Sequence, residues 1–161
     1  MIFILTGTVN SGKTTTLDRW ITEYRSEGIQ PRGILSPAIF RGGKKISYDV
    51  WDLGSDARLP LASEEALEKG ERFGRFRFFE RGLQLGRQAI SKLDEKTKLG
   101  VVDEVGPLEL AGGGWSDSLR TAISLPPEKL ILVVRSHLVD EVAEYFGIDR
   151  FQVLTTDSDR P

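Results

Sequence analysis

A glycine-bearing turn near the start of the chain constrains the fold more than any other feature. Residues 7–14 match the pattern G-x-x-x-x-G-K-S/T, with Gly7, Gly12, Lys13 and Thr14 at the specified positions. An apolar run precedes the turn and predicts a strand, while the apolar residues that follow it recur at helical spacing. The order strand, turn, helix is the context in which this pattern cradles an anion.

The chemistry of this turn predicts that it binds phosphate. Glycine at positions 7 and 12 permits conformations and a close backbone approach that a Cβ would block, so several amides can point at one anion. The helix that follows adds the positive end of its dipole. Lys13 can reach the outer phosphates, and the Thr14 hydroxyl can ligate a magnesium ion that a phosphate also coordinates. The predicted nucleotide-binding residues are Gly7, Thr8, Val9, Asn10, Ser11, Gly12, Lys13, Thr14 and Thr15.

A short apolar run that ends in two acidic residues is the second motif. Residues 99–102 are followed directly by Asp103 and Glu104. Such a strand end carries the acid that holds the magnesium shell beside a phosphate loop, so Asp103 is the predicted metal-binding residue, with Thr14. Glu104 points elsewhere from the strand end and is predicted to activate water. A solvated strand end is the alternative, and the phosphate loop makes it the weaker one.

The paired acids also bear on the class of reaction. A nucleotide kinase needs only a metal partner at this point, whereas a hydrolase must orient and deprotonate a water molecule. The pair therefore favours hydrolysis. Residues 103–106 also match D-x-x-G, which a signalling GTPase could use, but the chain has no N-K-x-D guanine motif.

The rest of the chain alternates between predicted strands and helices. A turn at 41–44 joins predicted strands at 33–40 and 45–53, and residues 62–98 are predicted to be mostly helical. Further predictions are a helix at 117–123, a strand at 130–134, a helix at 139–146 and a strand at 151–154. Apolar strands separated by helices predict a three-layer α/β fold, with a mostly parallel sheet, helices on both faces and an antiparallel hairpin. The length of 161 residues fits a single domain over residues 1–161.

Composition excludes several classes of site. The 22 basic and 24 acidic residues give a net charge of -2, so no global positive field would attract nucleic acid or an anionic membrane. The chain has no cysteine and a single histidine, His137, which makes an all-protein zinc site a poor expectation. Neither a secretory signal nor a membrane-spanning run is present, so a cytoplasmic location is expected. The oligomeric state is left open.

Two stretches together carry a resemblance to a known family. Residues 7–15 and the sequence V-D-E-V-G-P-L-E-L at 102–110 resemble the THEP-type nucleoside-triphosphatase family. The segment 32–37 and the hairpin through 48–50 are also similar to that family, so the likeness runs from Met1 to about Thr156. In the family pattern Glu109 occupies a motif position without an assigned role. The stretch 112–115, Gly-Gly-Gly-Trp, departs from the family pattern and puts any base contact there in doubt.

The resemblance implies a P-loop NTPase fold of the kind with a catalytic glutamate. It implies hydrolysis of nucleoside 5'-triphosphates, ATP, GTP and others, with loose base preference and with Mg²⁺ as cofactor. Gly12, Lys13 and Thr14 keep the phosphate and metal roles, and Asp103 and Glu104 match the acidic pair. Family members are similar to small kinases in architecture, so a nucleotide or small-molecule kinase remains the alternative. A binding module whose slow hydrolysis regulates a partner is the third hypothesis.

Arg135 is a further candidate for the catalytic site. It follows the apolar strand predicted at 130–134, so its guanidinium can reach a terminal phosphate from a strand end. Together with Glu104 and Lys13 it completes the predicted catalytic residues. A surface salt bridge to Asp140 or Glu141 is the alternative.

Other arginine and tryptophan side chains carry weaker hypotheses. The arginines within 72–87 can form a clamp over the phosphates, or can lie on a solvated helix face among glutamates, and the second is favoured. Trp51 and Trp115 can stack on a base, but a tryptophan in a small domain more often packs in the core or at its edge.

Overall fold

The chain folds around one twisted sheet in a computed structural model that describes residues 1–8, 11–65 and 72–161, with Phe73 described by its backbone alone. The strands are β1 (Ile2–Gly7), β2 (Arg32–Leu35), β3 (Ala38–Arg41), β4 (Lys44–Asp52), β5 (Arg58–Ser63), β6 (Arg72–Phe73), β7 (Phe76–Phe78), β8 (Leu99–Val102), β9 (Lys129–Arg135) and β10 (Gln152–Leu154). The helices are α1 (Lys13–Ser26), α2 (Glu80–Ser91), α3 (Pro107–Leu110), α4 (Ser116–Ser124) and α5 (Val139–Phe146), and a 3₁₀ turn at Ser136–Leu138 precedes α5.

The described strands form a ten-stranded sheet in the order β10-β1-β9-β8-β2-β4-β5-β7-β6, with β3 paired to β4. The strands from β10 to β2 are parallel to one another, and every pairing from β2–β4 onward is antiparallel. The predicted α/β fold class is therefore confirmed. The antiparallel part extends beyond the predicted hairpin, because β5, β6 and β7 continue the sheet past β4.

The parallel strands are buried on both faces because helices cover both sides. On one face α1 packs Leu17, Trp20 and Ile21 against alternate residues of β1 and β9. On the other face α2, α4 and α5 cover the intervening residues, as side chains alternate between the two faces of a strand. Within the described residues, no helix combines the length and apolar character needed to cross a bilayer.

Two sequence predictions were wrong about local structure. The strand predicted at 33–40 is interrupted at Ser36 and Pro37, where the chain leaves β2 and begins β3, and proline cannot donate to a strand ladder. The segment predicted as mostly helical contains the end of β5 and the β6–β7 hairpin before α2 begins. Arginine and phenylalanine alternate through 72–78 around Gly74, which has φ +58°, and this period of two is a strand signal. Residues 66–71 lie outside the described part of the chain.

Candidate active site

The carboxyl ends of β1, β9, β8 and β2 meet at one edge of the sheet, where ligands bind in folds of this kind. A cavity of about 930 Å³ opens there. Eight predicted site residues line it, namely Ser11, Gly12, Lys13, Thr14, Thr15, Asp103, Glu104 and Arg135. Gly7 ends β1 and Thr8 follows it, while Val9 and Asn10 lie outside the described residues.

The glycines predicted to shape the loop occupy positions that need glycine. Gly12 has φ +86° and directly precedes α1, so it turns the chain into the helix in a conformation that L side chains rarely adopt. A Cβ on Gly7 would collide with the Ser11 hydroxyl. The Ser11 side chain therefore lies against Gly7 directly before α1, as a cradle for an anion requires.

The ammonium of Lys13 lies in the concavity of this loop. Its Nζ donates hydrogen bonds to the carbonyl oxygens of Gly7 at 3.3 Å and Thr8 at 2.6 Å, and to the Ser11 hydroxyl at 3.3 Å. Burial lowers the pKa of Lys13, and the negative charges of Glu104 and Asp103 act to raise it. The lysine is thus held by the loop and faces the acidic pair.

Thr14 and Asp103 come together although they lie far apart in the sequence. The Thr14 hydroxyl donates to Oδ2 of Asp103 at 2.9 Å. Asp103 is only 3% exposed, and Ser36 fixes it through an amide that donates to Oδ2 at 3.3 Å and a hydroxyl that donates to the Asp103 carbonyl at 2.5 Å. Burial raises the pKa of Asp103 to about 7, and the charge of Glu104 acts in the same direction.

The donor set at this point fits magnesium. A hydroxyl and a carboxylate oxygen are close enough to serve one small cation, and Mg²⁺ prefers oxygen ligands that include phosphate and water.

Glu104 faces the cavity from the other side of the strand end. Its Oε1 accepts a hydrogen bond from Nη2 of Arg135 at 3.0 Å, and its side chain is 32% exposed. Its backbone carbonyl accepts a hydrogen bond from the indole Nε1 of Trp115 at 3.0 Å. The peptide bond between Asp103 and Glu104 is cis. The two acids therefore face different partners, as the sequence predicted.

Glu109 supports the segment that carries Glu104. It is 4% exposed, and its Oε2 accepts a hydrogen bond from the Gly106 amide at 2.9 Å. Burial raises the pKa of Glu109 to about 8, while hydrogen bonds from the backbone amides of Gly106, Glu109 and Trp115 act to lower it. Glu109 therefore stabilises the backbone of the segment that follows Glu104.

The tryptophans pack in the protein rather than offering a free face to a base. Trp115 is 3% exposed, and its ring lies so close to Gly86 of α2 that a Cβ there would meet it at 3.0 Å. Trp51 is half-buried, and its Nε1 donates to Asp56 at 3.2 Å. The packing interpretation of both side chains is therefore favoured.

The arginine-rich segment does not form one helix face. Arg75 lies in the β6–β7 turn, lines the cavity and pairs with Glu64 at 3.1 Å. Arg81 is exposed on α2, and Arg87 donates to the Gly114 carbonyl at 2.6 Å. A contribution of Arg75 to a clamp stays a prediction.

Sequence reasoning missed two residues of the site. Ser36, which holds Asp103, directly follows β2, and its position at a parallel strand end was a usable signal. Lys45 of β4 also lines the cavity. The neighbouring hairpin residues 40–44 carry no motif that would have predicted this position.

A phosphate loop, a hydroxyl and carboxylate pair and a second acid at adjacent parallel strand ends define a P-loop nucleotide-binding protein. A family model described as NTPase matches residues 2–160. The nucleoside-triphosphatase THEP1 of Methanopyrus kandleri is 32% identical over 160 residues, which cover 97% of this chain and 88% of that protein. This chain therefore belongs to the NTPase family, and the resemblance found in its motifs is confirmed.

Two solved structures share the fold. The crystal structure of THEP1 from the hyperthermophile Aquifex aeolicus has a TM-score of 0.76 at 16% identity, over 97% of this chain and 90% of that one. The solution structure of a human cancer-related nucleoside triphosphatase has a TM-score of 0.71 at 24% identity, over 96% of this chain and 87% of that one. At these identities the likeness supports the fold alone.

Proposed function

We propose that this NTPase hydrolyses nucleoside 5'-triphosphates to the diphosphate and phosphate in a magnesium-dependent reaction with loose base preference. The observation that carries the proposal is the convergence of Lys13, Thr14, Asp103, Glu104 and Arg135 on one cavity. The names of the relatives support the class of reaction. These five residues are suited to act on phosphate, magnesium or water and not on the base, which is the reason to expect little selection of the base.

The loop and Lys13 bind the phosphates. Amides at the start of α1 and the helix dipole favour an anion at this point. The Lys13 ammonium already lies within the loop, where it donates to the carbonyls of Gly7 and Thr8. Phosphate oxygens are stronger acceptors than these neutral carbonyls because they are charged, so Lys13 transfers its hydrogen bonds to the outer phosphates.

Thr14 and Asp103 are the residues that would hold magnesium. Bound Mg²⁺ would neutralise charge on the outer phosphates and help to align them for in-line attack. The Ser36 contacts keep the Asp103 carboxylate directed at Thr14, so the two oxygens meet at the same point without rearrangement of the strand end.

Glu104 is placed to act on the attacking water. Its carboxylate reaches the cavity and takes a proton from the water as the water oxygen attacks the terminal phosphorus. The bond from that phosphorus to the bridging oxygen breaks, and the diphosphate leaves. Arg135 lies beside Glu104 and stabilises charge on the transferring group, since its guanidinium has several donors and uses only some on the carboxylate.

The kinase alternative is weaker because the relatives are named as triphosphatases and because a second acid is present beside Asp103. A panel of triphosphates with different bases, each with and without candidate acceptors, tests the proposal by following free phosphate and transferred phosphate. We expect free phosphate without any acceptor and similar kcat/KM values across the bases. Turnover that requires an acceptor would establish the kinase instead.

A further inference from the structure

The β3–β4 hairpin presents a lysine to the cavity from the side opposite the phosphate loop. Lys45 lies in β4, opposite Phe40 of β3, and lines the same cavity as Lys13. Its ammonium lies 4.9 Å from the centroid of the Tyr48 ring and 6.0 Å from that of Phe40. These aromatic faces attract a cation and hold the ammonium at this position without neutralising its charge.

The cations beside Lys45 have acidic partners of their own. Lys44 pairs with Glu64 at 3.5 Å, and Arg75 pairs with the same carboxylate at 3.1 Å. Across residues 1–8, 11–65 and 72–161, no carboxylate lies within ion-pair distance of Lys45. Besides burial, the positive charge of Lys45 acts to lower the pKa of Lys13, which lines the same cavity. Lys13 and Lys45 both line the cavity, and Lys45 has no acidic partner within the part of the chain that the structure describes. Their charges create a positive potential that favours a polyanion between them.

The order of the strands indicates which part of a triphosphate lies near Lys45. The sheet runs β1-β9-β8-β2-β4, so Asp103 at the end of β8 lies between the loop after β1 and the hairpin. Under the proposed function, on which this step rests, Thr14 and Asp103 mark the metal position at the outer phosphates. The terminal phosphate then projects toward the hairpin, and the nucleoside extends away from it.

We propose that Lys45 contacts the terminal phosphate of the bound nucleotide and makes the site selective for triphosphate over diphosphate. A diphosphate product has no group at this position, so it loses the contact while it keeps those of the loop. Lys45 is thus a specificity-determining residue for the proposed reaction. It also favours release of the product relative to the substrate.

Titration calorimetry of the full chain in magnesium chloride tests the assignment with two ligands. One is an ATP analogue with a nitrogen bridge between its outer phosphorus atoms, and the other is ADP. Lys45→Met keeps the length and apolar contacts of the side chain and removes its charge. We expect the variant to bind the analogue about tenfold more weakly, the scale of one charged hydrogen bond, and to bind ADP as the wild type does. Lys45→Arg should recover most of the affinity.

Lys44→Met is the matched control, since Lys44 is the adjacent lysine of the same hairpin and already pairs with Glu64. It should bind both ligands as the wild type does. Equal losses for the analogue and ADP in Lys45→Met, unchanged affinity for both, or the same loss in Lys44→Met would overturn the assignment. Lys13→Ala tests the proposed function separately, because loss of the loop cation should weaken the binding of both the analogue and ADP independently of the role of Lys45.

Discussion

The guanidinium of Arg135 pairs with the carboxylate of Glu104, with 3.0 Å between Nη2 and Oε1. Arg135 ends β9 and Glu104 follows β8, so two neighbouring parallel strands bring the pair together. Within the described residues, neither Asp140 nor Glu141 forms the salt bridge with Arg135 that was the alternative interpretation. The arginine belongs to the edge of the sheet that carries the acidic pair, where it can orient the carboxylate and contact a phosphate.

Replacement of this arginine should affect chemistry more than binding. In Arg135→Ala, kcat should fall by about a hundredfold, the scale of one lost donor to a transition-state charge, while KM changes much less. Arg135→Lys keeps the charge but not the planar fork and should recover only part of the rate. Steady-state kinetics at saturating magnesium measures both constants. An unchanged kcat in Arg135→Ala would mean that Arg135 forms only a structural ion pair with Glu104 and has no role in the chemical step.

Removal of the loop lysine should weaken binding and turnover together. Lys13→Ala removes the ammonium that the Gly7 and Thr8 carbonyls hold within the loop, so the outer phosphates lose the side-chain cation that the loop would supply. We expect turnover to fall by about a hundredfold or more. Lys129→Ala removes a lysine that contacts the Pro161 carbonyl instead and serves as the control. Near-normal turnover in a folded Lys13→Ala protein would remove the basis of the site assignment.

Magnesium dependence should follow the contact between Thr14 and Asp103. A chelator should abolish turnover and added Mg²⁺ should restore it. Thr14→Val and Asp103→Ala each remove an oxygen from this point and should raise the magnesium concentration for half-maximal rate by about tenfold or more. Thr22→Val, on the exposed face of α1, is the control. Full activity of the wild type in excess chelator would contradict the metal assignment.

The sequence predicted those parts of the site that depend on local motifs and on parallel strand ends. The phosphate loop places Thr14 at the first turn of α1, and an apolar strand places Asp103 at the same edge of the sheet. Their meeting follows from the fold class, because the carboxyl ends of parallel strands share one edge. The bounds of α1, Lys13–Ser26, follow likewise from helical spacing after Gly12.

Contacts that depend on strand order and on packing could not be predicted in the same way. Arg135 meets Glu104 only because β9 lies beside β8, and the sequence does not state that order. Trp115 donates a hydrogen bond to the Glu104 carbonyl, and its indole ring packs against Gly86 of α2. Gly86 and Trp115 are far apart in the sequence, so local motifs do not predict this contact. The β6–β7 hairpin, by contrast, had a readable period of two, and the helical prediction there overlooked it.

The buried acid beneath the site should leave a signature in the pH dependence of stability. The pKa of Glu109 is raised from 4.5 to about 8 in the folded chain. Between these values the folded state keeps a proton that the unfolded state has released, so the free energy of unfolding falls as pH rises through this window and levels off above it. Glu109→Gln cannot titrate and lacks this contribution.

Urea unfolding from about pH 5 to about pH 9 measures the difference. The wild-type curve should fall more steeply than that of Glu109→Gln, by at most about 1.4 kcal/mol per pH unit. Glu95→Gln, at an exposed position, should follow the wild type. Parallel curves for the wild type and Glu109→Gln would mean that Glu109 is ionised in the folded chain throughout.

The last prediction separates binding from chemistry at Glu104. Glu104→Gln keeps the size of the side chain and an oxygen that can accept from Arg135, but it removes the basicity needed to deprotonate water. The variant should bind magnesium and triphosphate with near wild-type affinity while turnover falls by about a hundredfold or more. Glu141→Gln, exposed on α5, should retain full activity.

Isothermal titration and single-turnover phosphate release measure the two effects separately. A kinase whose hydrolysis is a side reaction would keep its slow phosphate release in Glu104→Gln, and an added acceptor would still accelerate nucleotide consumption. That outcome would contradict the role of Glu104 as general base. Loss of binding together with turnover would instead assign Glu104 to the magnesium environment, since Asp103 is the adjacent residue and shares the strand end. Intact binding with lost turnover is the result that the geometry predicts, because Glu104 faces Arg135 and the cavity whereas Asp103 faces Thr14.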